Sequence, residues 1–243
     1  MRDYILLGAA MAGEIFENIR LAGDLVPKAM EIRYGFIPDN YKKASYLSTV
    51  SRMLSTGLIE RKIDTKGEPY LELTGVGEKE FKRRFPLLRM QKAGWDGFFM
   101  QVVFDIPEKK RNIRQILRLK LRELGFGMLQ ESVFISPYHF EDDFAEFLAV
   151  QGLTKYVYVM KVKRVLVGDV KELARKVWKI EEINAAYQDL IGRIKKGETK
   201  GIEAVYLEVF RADPLLPKDF LPDDWARERL MALMKNKRPF QKS

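Results

Sequence analysis

The fold of the N-terminal region is decided by residues 38–74, which read PDNYKKASYLSTVSRMLSTGLIERKIDTKGEPYLELT. Pro38-Asp39-Asn40 is a strong helix start signal, and the apolar spacing that follows predicts a helix over residues 41–56. We expect Gly57 to end this helix at the C′ position, where a left-handed backbone is needed. The quoted stretch therefore begins with a helix that has a defined start and a defined end.

A hairpin and a fourth helix are predicted after this helix, and two helices before it. Alternating strands joined by a glycine-containing loop indicate the hairpin, and Thr74 is expected to cap the helix that follows. The predicted segments are helices at 4–21 and 26–33, strands at 58–63 and 70–73, and a helix at 77–84. Three helices, a hairpin and a helix in this order predict a winged helix-turn-helix domain.

The outer face of the third helix and the hairpin carry the predicted DNA contacts. Leu47, Val50 and Leu54 are expected to pack inward. The predicted contacts are Lys42, Lys43, Ser45, Tyr46, Ser48, Thr49 and Arg52 on the helix, and Arg61, Lys62 and Lys66 on the hairpin. Lysine and arginine bind phosphates or guanine edges, and short hydroxyls suit groove contacts. An ordinary solvated helix face beside an ordinary hairpin is the alternative interpretation.

Composition restricts the chemistry. The chain has no cysteine and a single histidine, His139, so we expect no disulfide, thiolate chemistry, metal site or cofactor, and a structural or solvent-exposed role for that histidine. No apolar run is long enough to span a membrane, and a cytoplasmic location is expected. The formal charge of +9 favours a polyanionic partner, chiefly nucleic acid.

The remainder of the chain predicts two more domains. Residues 95–165 alternate strand, helix, strand, helix and strand, which indicates a ferredoxin-like α+β domain. The fold class is therefore α+β. The predicted domains are a winged helix at 1–85, a linker at 86–94, the ferredoxin-like domain at 95–165 and a mainly helical C-terminal domain at 166–243.

Asp105 raises the question of catalysis. It ends an apolar strand in the segment VFDIPEKKR, and residues 130–134 read QESVF. This pair of motifs resembles the ferredoxin-like nuclease subunit of CRISPR spacer acquisition, in which the matching aspartate is proposed to bind a divalent metal. A metal-dependent nuclease centred on Asp105 is therefore an alternative function. A single carboxylate supplies few of the oxygen ligands that a divalent metal needs, however. A turn-capping role for Asp105 is therefore preferred.

Four arginines form a stripe on the helix that follows Pro107. Arg111, Arg114, Arg118 and Arg122 recur at spacings of three, four and four residues, opposite the apolar face. DNA, a partner subunit or solvent is expected to face this stripe, with solvent preferred.

Taken together, three motif groups identify a family resemblance. The winged helix, the FDIP and QESVF segments, and the C-terminal DPLLP (213–217) with Leu221-Pro222 and Trp225 occur together in PaaX-type repressors, which regulate phenylacetic acid catabolism. This resemblance implies a homodimer that binds an operator on double-stranded DNA through two winged helices. It also implies release by a small-molecule effector, an aryl- or acyl-CoA.

The sequence itself specifies no effector pocket. Trp178, Tyr187 and Trp225 are candidates for lining one, although aromatic residues at helical spacing are more often core. The preferred function is a non-enzymatic, DNA-binding transcriptional repressor. A scaffold whose winged helix binds other proteins is a third hypothesis.

Overall fold

The computed structural model describes residues 2–12, 43–63, 67, 69–91, 94–163, 165, 167–198 and 201–236. Helices and two antiparallel sheets make this an α+β protein, as predicted. The chain divides into two compact units, each built from separated stretches of sequence. The first comprises Met1–Phe85, Glu182–Asp213 and Asp224–Ser243, and the second comprises Pro86–Glu181 and Pro214–Asp223. The three-domain division stays a prediction.

The N-terminal part of the first unit follows the predicted order of helices and hairpin. Its elements are α1 (Arg2–Ala12), α2 (Lys43–Ser55), β1 (Ile59–Ile63), β2 (Pro69–Leu73) and α3 (Gly75–Arg84). The strands pair antiparallel, with Ile59 opposite Leu73. Residues 26–33, a predicted helix, lie outside the described residues. The small core holds Ile5, Leu6, Ala9, Tyr46, Val50, Met53, Ile59 and Leu71.

The turn into α3 shows why Leu-Thr-x-x-Gly is needed at residues 73–77. The Thr74 hydroxyl accepts a hydrogen bond from the Gly77 amide at 3.0 Å, which caps the helix as predicted. A Cβ on Gly77 would lie 1.8 Å from the backbone oxygen of Leu58. Only glycine permits this approach of the helix to the start of the hairpin.

The C-terminal stretches of the first unit are helical. They contain most of α8 (Ile180–Lys195), together with α9 (Ile202–Ala212) and α10 (Arg227–Asn236). The helix α10 is absent from the sequence-based prediction. Large apolar and aromatic side chains on these helices are buried, among them Tyr187, Leu190, Tyr206, Leu207 and Leu230.

The second unit is built on a four-stranded sheet. Its elements are α4 (Pro86–Met90), β3 (Phe99–Phe104), α5 (Arg111–Glu123), β4 (Gly127–Gln130), β5 (Val133–Ser136), α6 (Glu141–Val150), β6 (Val157–Val162) and α7 (Val170–Trp178). The strand order is β4-β5-β3-β6, and every neighbouring pair is antiparallel. Strand β4 is missing from the sequence-based prediction, and with it the order becomes the β-α-β-β-α-β of a ferredoxin-like fold.

Residues 86–94, predicted as a linker, begin with a helix. Leu87 and Met90 of α4 pack against the core of the second unit. The centre of that core is formed by Met100, Val102, Leu117, Leu121, Phe134 and Phe144, all of which are buried. The β3 residues in this set alternate along the strand, so one face of the sheet is buried against the core.

The opposite face of the sheet is partly covered from within the same unit. A Cβ on Gly127 would lie 2.0 Å from Cγ1 of Val177, so glycine lets α7 approach β4 closely. Further along, the Phe220 ring lies 4.8 Å from Trp95 and 5.5 Å from Phe99, measured between ring centroids. These contacts place Phe220, which follows the DPLLP segment, on the sheet. None of the described helices has the length and apolar character that a membrane crossing requires.

Candidate nucleic-acid interface

The end of α2 confirms the predicted role of Gly57. Its φ of +66° is left-handed, and its amide donates to Leu54 O at 3.0 Å. The Leu58 amide donates to Met53 O at 2.9 Å, which completes a Schellman motif. This motif turns the chain directly from α2 into β1 and thereby fixes the helix beside the hairpin.

In the structure, α2 is rotated about its own axis relative to the prediction, so that a different face points into the core. Tyr46 is 5% exposed and packs in the core with Val50 and Met53, whereas Leu47 is 56% exposed. The predicted inward position of Leu47 is therefore wrong, and Tyr46 and Thr49 are buried, not on the outer face. Both stripes satisfy helical spacing, so periodicity cannot choose between them. The larger tyrosine ring has more apolar area to bury, and it takes the inward position.

The exposed face of α2 is polar and carries one described cation. Ser48, Ser51 and Arg52 lie on it together with Leu47. Ser51 was not among the predicted contacts, although it lies one turn beyond the exposed Leu47. Of the remaining candidates, Lys42 and Lys66 lie outside the described residues, and the structure does not describe the side chains of Lys43 and Ser45.

The two predicted cations of the hairpin differ in their surroundings. Lys62 Nζ lies 3.1 Å from Glu72 and 3.4 Å from Glu60. Hydrogen bonds to these two carboxylates, led by that of Glu72, raise the pKa of the Lys62 ammonium. Arg61 is exposed and has no acidic partner among the described residues. Arg61 is therefore the better described phosphate ligand, because the charge of Lys62 is already compensated.

Three arginines of α1 and α3 are paired with acidic residues of the same two helices. Arg83 lies 2.9 Å from Glu80, and Arg2 of α1 lies 3.2 Å from the same carboxylate. Arg84 pairs with Asp3. The pairs of Arg2 with Glu80 and of Arg84 with Asp3 link α1 to α3, so these cations stabilise the fold.

The enzymatic candidate, Asp105, is exposed at the end of β3. Its backbone amide donates to Tyr156 O at 2.9 Å, which ties the end of β3 to the start of β6. Within the described residues, no group of three or more histidines and carboxylates is placed to hold a metal ion. The backbone of Asp105 therefore joins two strands, and no set of metal ligands surrounds its carboxylate among the described residues.

The arginine stripe on α5 divides into anchored and exposed members. Arg118 donates to the backbone oxygen of Glu131 at 2.8 and 3.1 Å, and Arg114 pairs with Glu108. Arg111 and Arg122 are exposed. The stripe is thus half structural, because Arg118 fixes the turn between β4 and β5.

His139 belongs to a small charge cluster. Its Nε2 lies 3.1 Å from Asp96 Oδ2, and Lys161 Nζ lies 3.3 Å from the same oxygen. Partial burial opposes ionisation of Asp96, but the hydrogen bonds from His139 and from the Phe98 amide outweigh it and lower the Asp96 pKa. This cluster ties the start of β3 to the end of β6.

The three candidate effector residues fall in both units. Trp178 belongs to the second, is buried, and donates its Nε1 hydrogen to Gly125 O at 2.9 Å. Tyr187 and Trp225 belong to the first, where their rings meet edge to face with centroids 5.6 Å apart. The structure therefore brings Tyr187 and Trp225 together and gives Trp178 a packing role above the sheet.

Tyr187 is part of a buried polar network. Its hydroxyl donates to Asp213 Oδ2 at 2.9 Å, and Arg227 Nη1 donates to the same oxygen at 2.8 Å. Burial, followed by the Asp213 carboxylate, raises the pKa of Tyr187 well above its ordinary value, so the hydroxyl keeps its proton. Nearby, the buried Nε1 of Trp225 has no acceptor among the described residues. An unpaired buried donor of this kind is available to a ligand or a water.

Comparison with known family models gives one domain match. Residues 92–174, about a third of the chain, match the family model of the PaaX protein central Cas2-like domain. The chain contains this PaaX-type domain. The match confirms the resemblance drawn from the FDIP and QESVF segments, and the sheet order agrees with a ferredoxin-like domain.

One solved structure extends the likeness in fold beyond the PaaX-type domain. It is described as "Uncharacterized protein Rv0674 from Mycobacterium tuberculosis", with a TM-score of 0.55 and 18% sequence identity. The alignment covers 90% of this chain and 93% of that one. At this identity the likeness concerns the fold alone. Comparison with curated proteins found no match.

Proposed function

We propose that this protein is a cytoplasmic transcriptional regulator that binds double-stranded DNA through α2 and the β1–β2 hairpin. The observation that carries the proposal is the exposed polar face of α2, which includes Arg52, set beside a hairpin that presents Arg61. In a winged helix-turn-helix, the helix in this position enters the major groove and the hairpin follows the sugar–phosphate backbone. The PaaX-type domain supports a regulator of this kind.

The side chains on α2 suggest how bases are distinguished. Arg52 has the reach and donor geometry to contact a guanine edge or a phosphate, and Ser48 and Ser51 suit short groove contacts. Leu47, 56% exposed on this polar face, supplies an apolar surface of the kind that meets a thymine methyl group. The proposal extends to Lys42, Lys43, Ser45 and Lys66, the cations and hydroxyl predicted to flank these residues.

Arg52→Ala is the main test. Duplexes selected from a random pool would be titrated by fluorescence anisotropy at several salt concentrations. Arg52→Ala is expected to weaken binding about tenfold and to lower the magnitude of the salt slope by about 1 if Arg52 meets a phosphate. Arg229→Ala, which removes the same charge from an exposed site on α10, serves as the matched control. Equal, small effects from both variants would contradict the proposed surface.

We further propose a dimeric repressor that an aryl- or acyl-CoA releases from its operator. A homodimer would present two copies of α2 to two half-sites, which is the usual arrangement for this class of motif. The Nε1 of Trp225, which has no acceptor among the described residues and lies beside Tyr187, supports the first unit as the effector site. The three-domain division at 1–85, 95–165 and 166–243 belongs to this proposal.

Ligand release provides the test of the effector. Phenylacetyl-CoA is expected to dissociate the protein from its selected duplex, whereas free CoA at the same concentration is expected to leave it bound. Trp225→Phe should weaken the response to phenylacetyl-CoA, and Trp95→Phe, a substitution at an indole of the second unit, should leave it unchanged. A response that is identical in both variants would remove Trp225 from the effector site.

The enzymatic and scaffolding alternatives have simple tests. Incubation of RNA and DNA with Mg²⁺ or Mn²⁺ is expected to leave both polymers intact. Cleavage that disappears in Asp105→Ala would instead establish the nuclease. Failure to select any duplex at moderate salt, combined with capture of a defined protein by α2, would favour the scaffold.

A further inference from the structure

Two short turns of the second unit bring lysine side chains to a single tyrosine ring. The 3-10 turn Glu108–Lys110 precedes α5, and the 3-10 turn Thr154–Tyr156 precedes β6. Lys110 Nζ lies 5.0 Å from the centroid of the Tyr156 ring, and Lys155 Nζ lies 5.1 Å from it. The two ammonium nitrogens are therefore at most about 10 Å apart.

Tyr156 positions these two like charges. Its ring packs against the core of the second unit, and the face of an aromatic ring attracts an ammonium group. Desolvation acts to raise the pKa of the Tyr156 hydroxyl, but hydrogen bonding and charge from Lys110, together with those from Lys155, outweigh it and lower the pKa. Both cations are thus placed by a side chain that is itself fixed by packing.

The charge of the two lysines is not compensated within the described part of the chain. Asp105 lies nearby, because its amide donates to Tyr156 O at 2.9 Å, but its carboxylate forms no ion pair with either lysine. Glu108, in the same turn as Lys110, pairs with an arginine of α5 instead. Like charges held close together repel one another, so a bound anion would stabilise this arrangement.

Further cations flank Lys110 along the chain. Lys109 and Arg111 are exposed, and neither forms an ion pair with a described residue. We call the set of four cations on the two turns and at the start of α5 the basic cluster: Lys109, Lys110, Arg111 and Lys155. The basic cluster differs from the rest of the arginine stripe on α5, in which Arg114 and Arg118 are engaged within the fold.

We propose that the basic cluster binds the phosphate backbone of DNA, in addition to the contacts made by α2 and the hairpin. This inference rests on the proposed function, to which it adds a second surface. Lys109, Arg111 and Lys155 are exposed, and Lys110 is half-buried. A small ligand needs a pocket that covers most of its surface, whereas a phosphate backbone can be bound by cations that stay open to solvent. The exposure of the basic cluster therefore favours a nucleic acid.

The proposed contact has a defined effect on specificity. Phosphate contacts position a protein on the duplex and carry no direct sequence information. The basic cluster is therefore expected to increase the affinity for every duplex by the same factor, and α2 is expected to select among them.

A double variant, Lys110→Gln with Lys155→Gln, tests this contact in the full chain. Binding to the selected duplex is expected to weaken about tenfold, and the magnitude of the salt slope should fall by nearly 2, since each phosphate contact contributes about 0.9. A scrambled duplex should lose affinity by the same factor. The matched control, Lys171→Gln with Lys176→Gln, removes two exposed lysines from α7 of the same unit and should leave the slope unchanged. Equal slopes in the two double variants would overturn the inference.

Lysine acetylation of the wild-type protein tests the same contact without a substitution. The reactivity of Lys110 and Lys155, measured by mass spectrometry, is expected to fall about threefold or more in saturating duplex, because bound phosphate covers the ammonium groups. Lys171 and Lys176 should react equally with and without DNA. Coenzyme A and inorganic phosphate, added in place of the duplex, are expected to give no protection. Protection by coenzyme A but not by the duplex would overturn the proposal and assign the basic cluster to a small phosphate ligand.

Failure of this inference can be told apart from failure of the proposed function. Duplex selection that depends on Arg52, with salt slope and acetylation indifferent to Lys110 and Lys155, would overturn the inference and leave the function standing. Protection of both lysines by every duplex, without any selected sequence, would support the basic cluster and remove the sequence-specific function.

Discussion

The outer face of α2 and the buried network of the C-terminal helices lie in the same unit but use arginine in opposite ways. Arg52 is exposed on α2, whereas Arg227 is 3% exposed and shares Asp213 with Tyr187. Burial alone would lower the pKa of the Arg227 guanidinium, but the Asp213 carboxylate outweighs it and raises the pKa. The difference teaches that surroundings, not residue type, decide whether a cation serves a partner or the fold.

Breaking the buried network should have the largest effect. Arg227→Met leaves the Asp213 carboxylate buried without its cation, and we expect it to lower the free energy of unfolding by about 3–5 kcal/mol. Arg229→Met removes an exposed guanidinium from the same helix and should cost well under about 1 kcal/mol. Urea denaturation measures both. Adding Asp213→Asn to Arg227→Met should recover part of the loss, and no recovery would argue against a charge-based cause.

The stripe on α5 extends the comparison to the second unit. Arg118→Ala removes charge-assisted hydrogen bonds to the Glu131 carbonyl, and we expect a loss of about 1–2 kcal/mol in unfolding free energy. Arg122→Ala, one turn away on the exposed side, should change stability by less than about 0.5 kcal/mol. Thermal unfolding of both variants provides the measurement. Equal losses would mean that the Glu131 contact contributes nothing.

The hairpin allows a sharper test between adjacent cations. Arg61→Ala is expected to weaken operator binding about fivefold, because no acidic residue in the described part of the chain compensates its charge. Lys62→Ala should have a smaller effect, since Glu60 and Glu72 already compensate its charge. Anisotropy titrations with the selected duplex measure both affinities. If Lys62→Ala has the larger effect, Lys62 must exchange its carboxylate partners for phosphate on binding.

The smallest expected effect concerns Asp96 and pH. Because the Asp96 pKa is lowered in the folded chain, its stabilisation is present above its ordinary value of 3.8 and is lost as pH falls below it. Its side chain is 46% exposed, so the effect is screened and amounts to about a few tenths of a kcal/mol. Asp96→Asn should remove this increment at pH 6 and make no difference near pH 2. Chemical denaturation at the two pH values checks the sign.

Much of the local structure could be predicted because the signals are local. Gly57 ends α2 through its own left-handed backbone, and Thr74 caps α3 through its own hydroxyl. The FDIP and QESVF segments are enough to indicate the PaaX-type domain without knowledge of its sheet. Strand β4 was missed, because four residues that include Gly127 and a bulge give little strand pattern.

The orientation of α2 could not be predicted for a different reason. Tyr46 and Leu47 both fall on apolar stripes that include Val50, and the sequence contains no local signal to choose between them. Packing against α1 and the hairpin made the choice, and it moved Tyr46 and Thr49 from the predicted contact face into the core. The structure also places the effector candidates in both units.

By itself the sequence determined the α+β class, the end of α2 at Gly57, the cap of α3 at Thr74, the hairpin and the PaaX-type middle domain, since neighbouring residues specify caps, turns and motifs. Only the tertiary structure decided which cations are free and which are bound, because ion pairs such as Lys62 with Glu72 and Arg227 with Asp213 join residues that are distant in sequence.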